Sequence, residues 1–225
     1  GHGGASVAAP ENSLAAFEAA VAQRADGVEL DVRRTADGTL AVRHDETLAD
    51  GRRIVELGRA ALDGVVPQLD DVLEVCRPLS VVNVEIKNWP DDGDFDPSLT
   101  LADAVVGLLR ERGELDDGRV IVSSFHLGTI DRVTELAPQM ATGWLWGLVD
   151  DVGALLDKAA ARGHQAVHPH HAFVNEELVG RAHALGLAVN AWTCNEPDRI
   201  RWLAEVGVDA VITDTPDIAL DALGR

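Results

Sequence analysis

The 225-residue sequence is short of positive charge, of cysteine and of long apolar runs. Lys and Arg number 19 against 38 Asp and Glu, a formal net charge of −19. A nucleic-acid backbone demands clustered Lys and Arg, and a helix lying on a membrane demands a basic face. We therefore expect no nucleic-acid partner and no stable membrane association. No stretch approaches the roughly 18 apolar residues of a membrane span, and no basic-then-apolar leader opens the chain. Two cysteines, Cys76 and Cys194, cannot build a disulfide framework and are read as free thiols. Free thiols suggest a cytoplasmic location, a reading that a removed leader would reverse. With 46% hydrophobic and 25% charged residues the composition is that of a folded domain. The length suffices to bury a substantial core. No linker or shift in composition divides it, so residues 1–225 are read as one domain.

Alternating segments recur along the chain. Residues 28–34 and 40–44 flank an Asp-Gly turn at residues 37–38. Further strand-like runs cover residues 81–87, 120–125, 142–146, 166–168, 188–192 and 210–213. Between them lie stretches of helical spacing such as Leu101/Val105/Leu108/Leu109 and Ile200/Leu203/Val206. Gly113, Gly163, Gly186 and Gly207 stand where helices would end. Repeated strand-then-helix units imply a parallel sheet with helices outside it, and about seven units after residue 27 fit an α/β fold, a (β/α)8 TIM barrel. The strand that opens such a barrel should precede Gly1 and is expected to be missing from this chain. The acidic stretch 91–97 is read as a solvated loop rather than a calcium site.

Barrel active sites lie at the C-terminal ends of the strands, and residues i and i+2 of a strand share a face. Glu29 and Asp31 therefore point together, away from apolar Val28, Leu30 and Val32, and Glu85 and Lys87 form a second such pair. Charges facing a barrel interior are costly unless paired or metal-bound. Three carboxylates from neighbouring strands suit a hard cation, Mg²⁺ or Ca²⁺. A buried ion pair of Lys87 with Glu85 or Asp31 is the alternative. His2 and His44 fall at strand ends beside these acids, where imidazoles can move protons near neutral pH. In the cluster His168-Pro-His-His171, His168 and His170 share a parity; the histidines are read as substrate-lining or surface residues rather than zinc ligands, because no Cys or further carboxylate has matching spacing. Trp144 and Trp146 would wall the pocket or fill the barrel, and His126, His164 and His183 are read as surface residues.

The ordered segments His2-Gly-Gly-Ala5, Pro10-Glu-Asn-Ser13, Gly27-Val-Glu-Leu-Asp-Val32, Thr35-Ala-Asp-Gly38, Val42-Arg-His-Asp45, Pro67-Gln-Leu69 and Val84-Glu-Ile-Lys87 resemble the glycerophosphodiester phosphodiesterase family. Ser124-Phe125, Ala191-Trp-Thr193 and Thr213-Asp-Thr-Pro216 extend the likeness over nearly the whole chain. The resemblance implies a metal-dependent TIM barrel that hydrolyses small glycerophosphodiesters to an alcohol and sn-glycerol 3-phosphate. It further implies metal ligation by Glu29, Asp31 and Glu85, a His2/His44 acid–base pair, phosphate contact by Lys87 and a glycerol pocket lined by Trp192. Ser124 joins the substrate-lining set, without the Gly-x-Ser-x-Gly elbow of a nucleophile. The family usually carries Arg directly after the first His, where this chain has Gly3. Arg33, of the same parity as Glu29 and Asp31, is expected either to replace that guanidinium at the phosphate or to lie in solvent beyond the strand end. Pro10 and Asn12 are read as the start of the first helix. Competing readings are a lysophospholipase D or sphingomyelinase-D-like action, and a phosphodiester-binding barrel that has lost turnover.

Overall fold

The computed structural model describes residues 1–225. In chain order the elements are α1 (Leu14–Ala22), β1 (Gly27–Arg34), β2 (Leu40–Val42), α2 (Arg59–Leu62), α3 (Leu69–Val75), β3 (Val81–Ile86), α4 (Thr100–Arg112), β4 (Val120–Ser124) and α5 (Leu127–Leu136). There follow β5 (Ala141–Trp146), α6 (Val152–Ala161), β6 (Ala166–Pro169), α7 (Glu176–Ala184), β7 (Ala188–Ala191), α8 (Pro197–Glu205), β8 (Ala210–Val211) and α9 (Pro216–Ala222). The strand order is β2-β1-β3-β4-β5-β6-β7-β8. β1 and β3 to β8 run parallel, while β2 returns antiparallel on the far end of β1. This is the expected TIM-barrel arrangement of strands with helices outside.

Local chemistry sets the element ends. The Ser13 hydroxyl accepts the Ala16 amide at 3.2 Å and caps α1. Asp151 and Asn175 cap α6 and α7 in the same way. Pro197 and Pro216 open α8 and α9, where a missing amide hydrogen costs nothing. α4 ends on Gly113 at φ 73°, a left-handed residue that costs other side chains about 1 kcal/mol or more.

The outward strand faces are apolar. Val28, Leu30 and Val32, Val82, Val84 and Ile86, and Val120 and Val122 pack against Phe17, Leu73 and Leu109 of the helices in one large cluster. Each buried Leu or Phe there contributes about 1.5–3 kcal/mol, and Leu30→Ala would cost about 2–5 kcal/mol. A second cluster joins β6 and β7 to α6, α7 and α8. Trp146 belongs to that outer cluster and Trp144 packs against it, so neither fills the barrel nor walls the mouth. Gly143 takes the inward position because His168 occupies the space beside it. A Cβ on Gly143 would fall 2.3 Å from His168 Nε2.

Gly1 and His2 lie between β8 and β1. The His2 amide donates to the Thr213 carbonyl at 2.8 Å, and the Glu29 amide donates to the Gly1 carbonyl at 2.7 Å. The expected opening strand is thus represented by two residues, which join the two edges at the rim. Beneath them is a cavity of about 310 Å³, bordered by Gly27, Asn83, His168, Asn190 and Ala210.

Two surface assignments are corrected. His164 is buried, its Nδ1 2.9 Å from the Thr142 hydroxyl and its Nε2 3.2 Å from Asp131. The acidic loop is not simply solvated, because Asp94 and Asp96 are buried. Asp96 accepts the Ser98 and Thr100 amides at 2.9 Å each, which fastens the loop to the start of α4.

Candidate active site

β1 delivers Glu29 and Asp31 to the barrel interior, β3 delivers Glu85 directly opposite Asp31, and Lys87 follows the end of β3. All three acids are buried, and one oxygen from each lies within 4.8 Å of the others. Lys87 Nζ stands 2.9 Å from Asp31 Oδ1 and 2.6 Å from Glu85 Oε1. The Gly3 amide donates to Glu29 Oε2 at 3.1 Å, while Glu29 Oε1 is buried with no hydrogen-bond partner.

Burial, then the neighbouring Asp31 and Glu85 charges, push the Glu29 pKa well above the carboxylate range. Burial likewise raises Glu85, against the pull of Lys87. Burial alone would raise Asp31 too. Lys87, His44 and the Asn12 hydrogen bond outweigh it and hold Asp31 low. The Lys87 ammonium loses solvation, but Glu85 and Asp31 overcome that and raise its pKa. Ionised together, three acids against one lysine would carry an excess of negative charge, which, with burial, is why Glu29 and Glu85 resist ionisation, and the orphaned oxygen of Glu29 has no protein donor. An all-oxygen set of this kind fits a hard divalent cation.

His2 and His44 enter the same cavity, of about 190 Å³, which Glu29, Glu85, Lys87 and Trp192 also line. His2 Nδ1 lies 2.8 Å from Asp214 Oδ1, and His44 Nδ1 lies 3.0 Å from Asp45 Oδ1. A carboxylate can only accept, so each Nδ1 carries the hydrogen and each Nε2 is left free. Asp214 is itself held by Ser6 at 3.1 Å and by Asn195 at 2.6 Å. Trp192 is fixed by its indole N–H on the His168 carbonyl at 2.7 Å and by an edge-on contact with Phe125. Phe125, with Leu145, completes an apolar side to the cavity.

Three residues assigned to the substrate lie elsewhere. Arg33 is buried and turned from the cavity: its Nε donates to the His44 carbonyl at 2.7 Å and its Nη1 to Asp94 at 2.8 Å, with Asp92 at 3.2 Å. It neither reaches a phosphate site nor lies in solvent. Ser124 is buried and donates to the Ile86 carbonyl at 2.7 Å, tying β4 to β3. His168 is wholly buried in the barrel, its Nε2 2.9 Å from the Asn190 amide nitrogen. Lys87 is therefore the lysine or arginine that lines the cavity. Gly3 has φ 54°, and a Cβ there would meet the Glu11 side chain, so an arginine would need a strained backbone and a displaced glutamate.

Asn12 and Asp214, like Asp45 beside His44, escaped sequence reasoning. Asn12 does not cap α1, since Ser13 does. Its amide donates to Asp31 Oδ2 at 2.7 Å, and its oxygen accepts the Asp31 backbone amide at 3.2 Å. Asp214 orients His2. Both stand inside quoted segments, Pro10–Ser13 and Thr213–Pro216, and each is a hydrogen-bonding residue with no need of its own at a helix start.

A parallel barrel with acids, imidazoles and a lysine gathered at its C-terminal mouth defines a (β/α)8-barrel enzyme. The model of the glycerophosphoryl diester phosphodiesterase family matches residues 2–218, and this chain belongs to that family. It is 32% identical to a glycerophosphodiester phosphodiesterase of Bacillus altitudinis over 94% of this chain and 91% of the relative. A second such relative, from Caldanaerobacter subterraneus, is 29% identical over 100% and 96%. Among solved structures, the Thermotoga maritima glycerophosphodiester phosphodiesterase superposes with a TM-score of 0.81 at 28% identity, covering 100% of this chain and 96% of its own. An Oleispira antarctica phosphodiesterase, solved with its product sn-glycerol-3-phosphate, shares the fold with a TM-score of 0.87 at 24% identity, over 100% and 95%.

Proposed function

We propose that the chain hydrolyses small glycerophosphodiesters to an alcohol and sn-glycerol 3-phosphate, with His2 and His44 as the acid–base pair and Mg²⁺ or Ca²⁺ held by Glu29, Asp31 and Glu85. The observation that carries this reading is the meeting of both imidazoles, Glu29, Glu85 and Lys87 on one small cavity, with Asp31 held against Lys87. A bound divalent cation supplies the positive charge that polarises a phosphoryl oxygen. Lys87, tethered between Asp31 and Glu85, presents its remaining N–H to a phosphate oxygen. The apolar edge of Trp192 and Phe125 receives the glycerol carbons. One imidazole accepts the proton of the attacking hydroxyl at its free Nε2, and the other gives a proton to the departing alkoxide. The carboxylates of Asp214 and Asp45 hold both rings in the tautomer this exchange needs, and stabilise whichever ring is charged.

The test is hydrolysis of glycerophosphocholine after exhaustive chelation and after return of Mg²⁺ or Ca²⁺. Loss and recovery of product are expected. Full activity in the chelated enzyme would defeat the cation assignment, and turnover of lysophosphatidylcholine in preference to glycerophosphocholine would defeat the substrate class.

A further inference from the structure

We propose a second metal site, for a thiophilic divalent ion of the Zn²⁺ kind, formed by His171, Cys194 and Glu196 on the wall of the mouth. His171 lies in the turn after β6, and Cys194 and Glu196 lie in the segment joining β7 to α8. One donor atom from each of the three falls within 4.8 Å of the others. Cys194 Sγ and Glu196 Oε2 are 3.8 Å apart. With Zn–S of about 2.3 Å and Zn–O of about 2.1 Å, a tetrahedral edge between sulfur and oxygen is about 3.6 Å, so this edge is nearly formed. His171 Nδ1 is buried and has no hydrogen-bond partner.

The surroundings suit a site rather than a chance encounter of side chains. The Cys194 amide donates to Ile212, and the His171 amide donates to the Trp192 carbonyl, so two of the ligands are fixed through their backbones. Arg199 is the nearby cation. Its guanidinium donates to the His171 and Val174 carbonyls and packs 4.1 Å over Trp202, which shapes the loop. Cys194 is buried while Glu196 is exposed, so the cluster opens to solvent on one side and leaves room for water as a fourth ligand.

Donor chemistry separates this site from the catalytic one. A thiolate and an imidazole select Zn²⁺ or Co²⁺, whereas the all-oxygen acids of the barrel select Mg²⁺ or Ca²⁺. Binding would replace the thiol hydrogen of Cys194, which leaves as a proton to solvent. The bound ion would clip the β6–α7 turn to the β7–α8 segment on either side of Trp192 and stiffen that wall of the cavity.

The test is titration of Co²⁺ into the Mg²⁺-saturated protein, read by absorption and calorimetry. We expect one equivalent to bind with an intense thiolate-to-Co²⁺ charge-transfer band. Glu29→Gln should keep the band. Cys194→Ser should lose it, and both Cys194→Ser and His171→Ala should weaken binding by at least about tenfold. Co²⁺ binding without the band in the wild type, or a band that survives in Cys194→Ser, would overturn the site. Should Cys194→Ser fail to fold, His171→Ala decides, because His171 is only partly buried in a turn. Unchanged Co²⁺ affinity in that variant would overturn the site equally.

Discussion

His168 should make the fold sensitive to mild acid. Its ring is wholly buried inside the barrel, and burial pushes its pKa down to about 3 from an ordinary 6.5. Nε2 takes the Asn190 amide as a donor, which only the neutral ring can do. The folded state thus prefers the neutral ring, and the unfolded chain takes up the proton first as pH falls. Stability is intact above pH 6.5 and is lost progressively between 6.5 and 3. From those two pKa values the loss is about 2 kcal/mol at pH 5 and about 3 kcal/mol at pH 4, relative to pH 8. For a chain of this length 2 kcal/mol corresponds to a Tm drop of about 4–8 °C. The assay is thermal unfolding at pH 8 and pH 5 with saturating Mg²⁺, in the wild type and in His168→Gln, whose amide oxygen can still accept from Asn190. The pH-dependent loss in the wild type should exceed that of the variant by about 2 kcal/mol. His164, whose pKa burial also lowers, is present in both proteins and cancels. Equal pH dependence in the two proteins would refute the reasoning.

Three substitutions address the site. His44→Ala should lower kcat by about 10² or more while leaving Tm nearly unchanged, because the side chain is exposed. Steady-state kinetics with a parallel melt checks both parts. Asp214→Asn turns the acceptor at His2 Nδ1 into a group that can donate and releases the tautomer. We expect kcat to fall by about 10² with little change in KM. Arg33→Met leaves Asp94 buried and uncompensated, at a cost of about 3–5 kcal/mol in denaturant unfolding. It also frees the His44 carbonyl, so kcat should fall more than KM rises. An effect on KM alone would restore Arg33 to the phosphate.

The apolar alternation of β1 and β3 makes the acids legible in the sequence, because a strand with Val28, Leu30 and Val32 on its helix face must turn Glu29 and Asp31 inward. Parity did not suffice at Arg33. There β1 runs past the barrel rim to pair with β2, so an inward parity no longer means the cavity, and the guanidinium meets the 92–94 loop instead. Parity also left the face of Trp144 and Trp146 open. Nothing local reveals that His168 crowds the space beside Gly143, or that both indoles lie on the helix side. Asn12 and Asp214 were hidden for a different reason. Asn12 takes φ 57°, which swings its amide from the helix start to Asp31. Asp214 acts on a residue 212 positions away, a distance that no local pattern spans.

Under the proposed reaction, Lys87 is the group that would let a chain of net charge −19 hold an anionic phosphodiester. Its ammonium bridges Asp31 and Glu85 as their counter-ion, and in the proposed reaction its third hydrogen would be the phosphate contact. The two roles separate experimentally. Lys87→Met removes the positive partner of two buried acids. Without added cation the protein should lose about 3–5 kcal/mol of stability, the range for breaking a buried pair. The acids remain, now with one more uncompensated negative charge, so Mg²⁺ or Ca²⁺ should bind and raise Tm more in the variant than in the wild type. With the cation bound and the fold restored, any remaining rise in KM for glycerophosphocholine measures the phosphate contact alone. A variant whose Tm responds to cation no more than the wild type would mean that Lys87 does not compete with a metal for these acids, and the charge argument for the site would fail.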